Sequence, residues 1–375
     1  MRVVLLAASA DALAQELARA LGEEGVECAL VALRTPSLED LLCPSSESQA
    51  LVVEGSKDKA KSFSALLSRA SELAVAGESL VHAFGLWPFG VCASLLKSLF
   101  FVPYLLSVGN ELNWYAKLEA ARGLSEAALR GAYRVLAPSG TLARELKREF
   151  RVEGKLVEVV PCSVGLERFA SPPEAPRKQL GVGWGDIVFL YVGDAWYTSG
   201  LEQLLLAFKL VSREVANAKL LIATPGVARE AELAARRMGL EGVALAECVP
   251  LSELPRYYAA CDVFVYANPS DLVGRRALEA MACGRPVVAV SGSAAGEYVR
   301  ESGGGLVVEP FDVKGLASAM LELARSEEKR AALGARGREW VLKLPSSRQI
   351  ASILARLYEE ALVDSLRAHP HPRPV

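Results

Sequence analysis

The densest chemistry in this 375-residue sequence falls in the stretch Asp271–Gly284, DLVGRRALEAMACG. It follows an apolar run, Val263–Ala267, and a Pro269-Ser270 turn, then takes on a helical pattern with Ala277, Leu278, Met281 and Ala282 on one face. Two carboxylates, Asp271 and Glu279, stand eight residues apart, the first in the loop and the second about one turn into the helix. That spacing lets them hold two parts of one ligand on either side of a helix end without touching each other. Arg275 and Arg276 sit side by side in the first turn. The amino end of a helix is electropositive, so each cation there costs roughly 0.3–1 kcal/mol unless an anion lies nearby. The pair points either to a bound anion at this helix end or to guanidiniums carried out into water.

Two other loops have the composition of ligand cradles. Gly193–Gly200 (GDAWYTSG) lies between an apolar strand pattern, Ile187–Val192, and a helix. Its glycines let backbone N–H groups approach a phosphate, although a plain turn with a helix cap accounts for two glycines equally well. Ser291–Glu297 (SGSAAGE) follows the strand pattern Pro286–Val290 and is similarly small. All three stretches follow strands, and in open parallel sheets ligands bind outside the carboxyl ends of the strands.

The elements that would position these loops alternate throughout the chain. In the first half, strand patterns read at Val3–Ala8, Val26–Leu33, Leu51–Val53, Leu80–Ala83, Tyr104–Val108, Arg134–Ala137 and Leu156–Val160. Helical patterns lie between them, clearest at Asp11–Leu21 (with Asp11 as a cap), Ala60–Ala74 and Thr141–Phe150. After the proline-rich SPPEAP of Ser171–Pro176 the alternation restarts. Ile187–Val192, Lys219–Ala223, Val243–Ala246, Val263–Ala267 and Pro286–Val290 read as strands, with helices at Leu201–Glu214 and Ala228–Met238. Val313–Tyr358 reads as helical, punctuated at Leu344-Pro345. The expected fold is α/β, two doubly wound, Rossmann-like parallel-sheet domains. The expected division is 1–170, a linker at 171–180, a second domain at 181–345, a helix at 346–365 and a disordered tail at 366–375 holding His369 and His371.

Bulk composition narrows the function. Half of the residues are hydrophobic (51%), 23% are charged and the net charge is −2, which suits a globular protein and argues against a nucleic-acid partner. Seven cysteines are scattered singly with no Cys-x-x-Cys pair, so they read as small core residues in a reducing interior rather than a zinc site or a disulfide scaffold. Met1 leads straight into Val3-Val4-Leu5-Leu6, which reads as a first strand and is too short for a signal sequence. The most apolar segment, Val91–Val108, is broken by Lys97 and Pro103 and reads as helix then strand, not as a membrane span. A cytoplasmic location is expected, with peripheral membrane contact left open.

Several phrases in order carry a resemblance: YVG…GLEQLLLAF, LPRYYAACDVFVYANPS, ALEAMACGRPVVAV, GEYVRESGGGLVVEPFD and the closing helices, from Ile187 to about Tyr358. LVHAFG, VLAPSGTLARELKREF and VEVVPCSVGLERF extend it into the first half. Together they resemble glycosyltransferase family 4, retaining enzymes of the GT-B fold that take sugars from nucleotide diphosphates. The resemblance implies a nucleotide sugar held in a cleft between the domains, mostly on the second, with the last helix crossing back onto the first. It implies an acceptor that is a glycan, lipid or small molecule, and no metal or other cofactor; no Asp-x-Asp motif is present. By the same resemblance Glu279 takes the ribose hydroxyls, Asp271 stands where a glutamate holds the donor sugar, and Ser270 and Gly274 lie in the segment whose amides meet the diphosphate.

The departures are specific. The family's Gly-Arg-x4-Lys-Gly phosphate loop reads here as Gly193-Asp194…Ser199-Gly200, without either cation. The N-terminal Gly-Gly loop reads Ser9-Ala10-Asp11, and Val108 stands where an active-site histidine is expected, with His82 kept from a neighbouring phrase. Hydrogen bonds to charged groups are worth about 1.5–3 kcal/mol each, so losing two costs roughly two to four decades of affinity. At least one of Arg275 and Arg276 is the expected replacement, because first-turn side chains lean toward the helix amino end; the alternative is that both are solvated surface arginines. On the acceptor side Asn110, Glu111 and His82 are the polar candidates, while the aromatic loop Gly85–Gly90 suits either sugar stacking or plain loop packing. The alternative reading is a catalytically degenerate GT-B protein acting as a partner subunit or binding module.

Overall fold

The computed structural model of the chain describes residues 1–8, 12–34, 51–54, 58–75, 79–115, 118–163, 165–170, 177–193, 199–224 and 229–369. Thirteen strands form along these residues: β1 Arg2–Ala8, β2 Glu27–Arg34, β3 Leu51–Glu54, β4 Ser79–Phe84, β5 Tyr104–Ser107, β6 Arg134–Ala137, β7 Val157–Val159, β8 Ile187–Val192, β9 Ala218–Ala223, β10 Val243–Ala246, β11 Val263–Tyr266, β12 Val287–Val290 and β13 Gly305–Val308. Asp11, the Ser171–Pro176 run, the middle of the Gly193–Gly200 loop and His371 lie outside the described residues.

The chain divides into two compact units. The first takes the chain up to Gly165 together with the stretch from Pro345 onward, and the second runs from Leu166 to Leu344. In the first unit the strands order β3-β2-β1-β4-β5-β6-β7, and in the second β10-β9-β8-β11-β12-β13. Every pairing is parallel. Each sheet therefore grows outward from its first strand and reverses direction once, at β1/β4 and at β8/β11. The reversal is where two successive crossovers leave on opposite faces and a crevice opens at the carboxyl ends.

The strands form where they do because central parallel strands are covered on both faces and must be apolar throughout. Val3 to Ala7 of β1 and Val188 to Val192 of β8 are fully buried. The helices carry legible start signals: Asp58, Ser139, Ser293, Asp312 and Ser326 each accept a backbone N–H as amino caps, and Ser346 with Gln349 forms a capping box. The last of these starts the helix Ser347–Ala368, which packs on the first unit: Ile350, Leu354, Leu357 and Tyr358 join Leu17, Leu21, Leu80 and Leu105 in one core cluster.

The structure departs from the sequence reading at several points, the last helix among them: it runs to Ala368, into the stretch expected as a disordered tail, and His369 packs on Phe101. The stretch from Val313 is not one helix, because Ser326 ends Val313–Arg325 and caps Glu327–Val341. β13 is an added strand; a Cβ on its Gly305 would lie 1.8 Å from the Val287 carbonyl oxygen, so close pairing with β12 excludes any side chain there. Cys248 is disulfide-bonded rather than a core thiol, whereas Cys92, Cys162, Cys261 and Cys283 are buried and free. Among the described residues no helix is long and apolar enough to cross a membrane.

Candidate functional site

In the second unit the sheet reverses between β8 and β11, so the loops that follow those two strands define the crevice. They touch at backbone distance. Gly200, at φ +78° the amino cap of the helix Leu201–Glu214, leaves no room for a side chain: a Cβ would sit 1.9 Å from the Ala267 carbonyl oxygen. Ser199 beside it is buried. Gly193 closes the end of β8, donating its N–H to the Ala223 carbonyl, and a Cβ there would press on the Tyr191 hydroxyl at 2.9 Å.

The loop after β11 is shaped by its own polar side chains. Asn268 Oδ1 accepts from the Ser270 N–H at 2.9 Å, leaving Ser270 exposed. Asp271 is 2% exposed, and its Oδ1 accepts from the backbone N–H groups of Val273 (3.3 Å) and Gly274 (3.0 Å). That carboxylate folds the turn leading into the helix Arg275–Ala282. Gly274 takes φ +74° as the amino cap, and a Cβ there would meet the Tyr298 ring at 2.3 Å. The Asp271 carbonyl accepts from Ala294 N at 2.8 Å, tying in the SGSAAGE loop, whose Ser293 caps the next helix.

Glu279 lies at the centre of the arrangement. It is 0% exposed, and its Oε1 accepts from Arg275 Nε (3.0 Å) and Arg276 Nη1 (3.1 Å). Its Oε2 accepts from the same Nη1 and from the Tyr258 hydroxyl, both at 2.9 Å. Burial pushes the carboxyl upward, but Arg276 and Arg275 override it and hold its pKa below the usual value. Burial likewise opposes the charge on Arg276, and the Glu279 carboxylate more than compensates, raising the guanidinium above its ordinary range. Tyr266, raised by burial, also feels the Asp271 carboxylate and the Arg276 charge, so these two side chains act on one point at the end of β11.

The fold thus brings Asp271, Arg275, Arg276 and Glu279 together beside Ser199 and Gly200, with the arginines turned differently from expectation. Both reach forward onto Glu279, three and four residues on, instead of backward toward the helix amino end. A buried carboxylate at that spacing is a stronger attractor than the lean of the Cα–Cβ bond. Tyr258 was invisible as a site residue in the sequence, since nothing in its spacing from Glu279 announces the contact.

In the first unit Glu111 and Asn110 follow β5. Glu111 Oε1 accepts from Gly109 N at 2.9 Å and faces Gly85 after β4, so its carboxylate lies across two carboxyl-end loops, while Asn110 is exposed. In the Gly85–Gly90 loop, Trp87 stacks on Phe63 at 5.1 Å, which is packing within the unit. His82 stands apart from these. It is fully buried in β4, with Nδ1 2.6 Å from the Tyr358 hydroxyl and Nε2 2.8 Å from Ser107 Oγ, and burial lowers its pKa to about 3. It joins the last helix to the sheet and offers no surface to an acceptor. Val108 is buried as well.

Comparison with known proteins agrees with this architecture. The family model "Glycosyltransferase Family 4" matches residues 11–168, and "Glycosyl transferases group 1" matches residues 186–326. A D-inositol 3-phosphate glycosyltransferase of Thermobispora bispora is 31% identical over 243 residues, 62% of this chain and 56% of that protein. A GDP-mannose-dependent α-(1-6)-phosphatidylinositol monomannoside mannosyltransferase of Mycolicibacterium smegmatis is 31% identical over 198 residues, 50% of this chain and 52% of that protein. The chain therefore spans about half the length of these relatives. Among solved structures, a sucrose-phosphate synthase from Thermosynechococcus elongatus superposes with a TM-score of 0.81 at 21% identity, covering 97% of this chain and 100% of that one. Anabaena HepE with UDP and glucose gives 0.77 at 17% identity, covering 96% and 100%.

Two Rossmann-like units, each with a parallel sheet that reverses once, define a GT-B protein. Both halves of the chain match glycosyltransferase family models, the first half that of family 4.

Proposed function

We propose that this chain moves a sugar from a nucleotide-diphosphate sugar to an acceptor hydroxyl with retention of configuration. One observation carries the reading: Asp271 folds the turn at a helix amino end, and within that helix two arginines close on Glu279, beside the point where the second sheet reverses. A helix end there presents N–H groups and a positive field to the diphosphate, with Gly274 and Gly200 keeping the backbone open to close approach. In this reading Glu279 takes the ribose hydroxyls and Asp271 the donor sugar. The chemical contribution of the protein is electrostatic, because charge develops on the departing diphosphate and preorganised positive groups stabilise it as it forms. Arg275 and Arg276 supply the full charges that Asp194 and Ser199 do not. The reaction as proposed needs no metal and takes place in the cytoplasm. The acceptor is a glycan, lipid or small molecule bound on the first unit near Asn110 and Glu111. The acceptors named for the two relatives make a polyol or a polyol-bearing lipid the first class to try.

The test is a thermal-shift screen of the full chain against UDP-, GDP- and ADP-sugars. Saturable stabilisation by one donor, weakened in Glu279→Gln, is the expected result. Glutamine is preferred to alanine because its amide oxygen keeps an acceptor for the guanidiniums and fills the same space, whereas alanine leaves a cavity. A flat response to every donor would count against the transferase reading.

A further inference from the structure

Three polar side chains of the first unit form a file from its core to the carboxyl end of β5. The Tyr358 hydroxyl, on the last helix, lies 2.6 Å from His82 Nδ1, and His82 Nε2 lies 2.8 Å from Ser107 Oγ. Tyr358 and His82 are fully buried, whereas Ser107, the last residue of β5, is half-buried. In the parallel register His82 stands beside Leu105, so Ser107, two residues on, shares the face on which that helix packs. The proton count fixes the direction of the file. Among the described residues His82 is the one hydrogen-bond partner of the Tyr358 hydroxyl, and burial keeps that phenol protonated. A buried O–H requires an acceptor, so Tyr358 donates to Nδ1. The imidazole, held neutral by burial with a pKa of about 3, then carries its single proton on Nε2 and donates it to Ser107 Oγ. The reverse arrangement leaves the Tyr358 proton buried with nothing to accept it. Ser107 is thus an acceptor on its inward side, and its own proton has to point away from His82. It does so where β5 runs out toward Gly109, Asn110 and Glu111, beside Gly85, whose N–H donates to the Ser107 carbonyl at 2.8 Å.

We propose that Ser107 contacts the acceptor substrate, and that Tyr358 and His82 are positioning residues that set its hydroxyl as a hydrogen-bond donor to a substrate oxygen. The inference rests on the acceptor reading above and adds to it a residue and a selection rule. An acceptor hydroxyl offers the lone pair that this site requires. A protonated amine in the same place brings a second donor against the first and is rejected.

Nitrogen-15 NMR of the full chain, which holds three histidines, reads the tautomer directly, with His82→Gln identifying the signal. The proton is expected on Nε2, and a wild-type signal from the Nδ1–H form overturns the proposal. Transfer to inositol and to glycerol as polyol probes, from the donor found by thermal shift, gives the second readout. Ser107→Ala should raise the acceptor KM about tenfold, the loss of one hydrogen bond, with donor binding unchanged, and Ser107→Thr should restore it. Tyr358→Phe should raise the same KM several-fold and add nothing in the Ser107→Ala background, because it acts through that hydroxyl. A purely structural tyrosine would lower the melting point in both backgrounds and leave the acceptor KM alone. An unchanged acceptor KM in Ser107→Ala, or losses that add in the double variant, overturns the proposal while donor binding, and with it the nucleotide-sugar reading, stands. A wild-type chain that binds donor but transfers to neither polyol overturns the acceptor reading and the proposal together. One that binds no donor overturns the transferase reading itself.

Discussion

Asp271 does two jobs that a substitution can divide. Its Oδ1 folds the turn into the helix by accepting from Val273 and Gly274, while its charge is the contribution assigned to the donor sugar. Asparagine keeps the acceptor oxygen and removes the charge. Asp271→Asn is therefore expected to hold its thermal midpoint within a few degrees while transfer falls at least about tenfold, measured as kcat/KM for the donor. The sequence made the membership of this cluster legible, because Asp271, Arg275, Arg276 and Glu279 are close along the chain. It did not reveal which way the arginines turn. Their direction is set by the Glu279 carboxylate, buried three and four residues further along the helix.

Along the elements, two glycines set the crevice. Gly274 combines φ +74° with a ring 2.3 Å from where a Cβ would be, so Gly274→Ala should cost roughly 1–3 kcal/mol in strain and displacement. A urea midpoint lowered accordingly, with donor binding lost even in dilute denaturant-free buffer, is the expected outcome. Strands such as β1 and β8 were readable because a doubly covered parallel strand has to be an apolar run. β13 was not, because its first residue must be glycine to lie against β12, and a glycine-rich start reads as a loop. The break at Ser326 was missed because strong helix formers flank it on both sides and neither glycine nor proline marks the boundary.

At the scale of the whole molecule, His82 makes stability depend on pH. Burial lowers its folded pKa to about 3 from an ordinary 6.5, so the folded chain keeps it neutral while the unfolded chain takes up a proton below pH 6.5. The contribution is present in full above 6.5 and is lost as the pH falls toward 3, on the order of 1 kcal/mol per pH unit. Urea unfolding at pH 7 and pH 5 should show a drop in wild type that is smaller in His82→Gln. Glu279, whose folded pKa is depressed, adds its own loss only at lower pH, through the usual carboxylate range. Transfer activity is expected to be unchanged by excess EDTA, since the proposed neutralising charge belongs to the chain; a loss restored by divalent cation would show that the arginines do not suffice.

The helix Ser347–Ala368 completes the core of the first unit although it follows the whole second unit in sequence. During synthesis, residues 166–344 leave the ribosome as a complete unit while the apolar faces of Leu17, Leu21 and Leu80 still await their partner. Of the two units, the first is thus the one that finishes folding after the other. We expect ribosome-stalled chains ending near residue 345 to show a protease-resistant second unit and a protease-sensitive first one, with resistance in the first appearing only once the final helix has emerged.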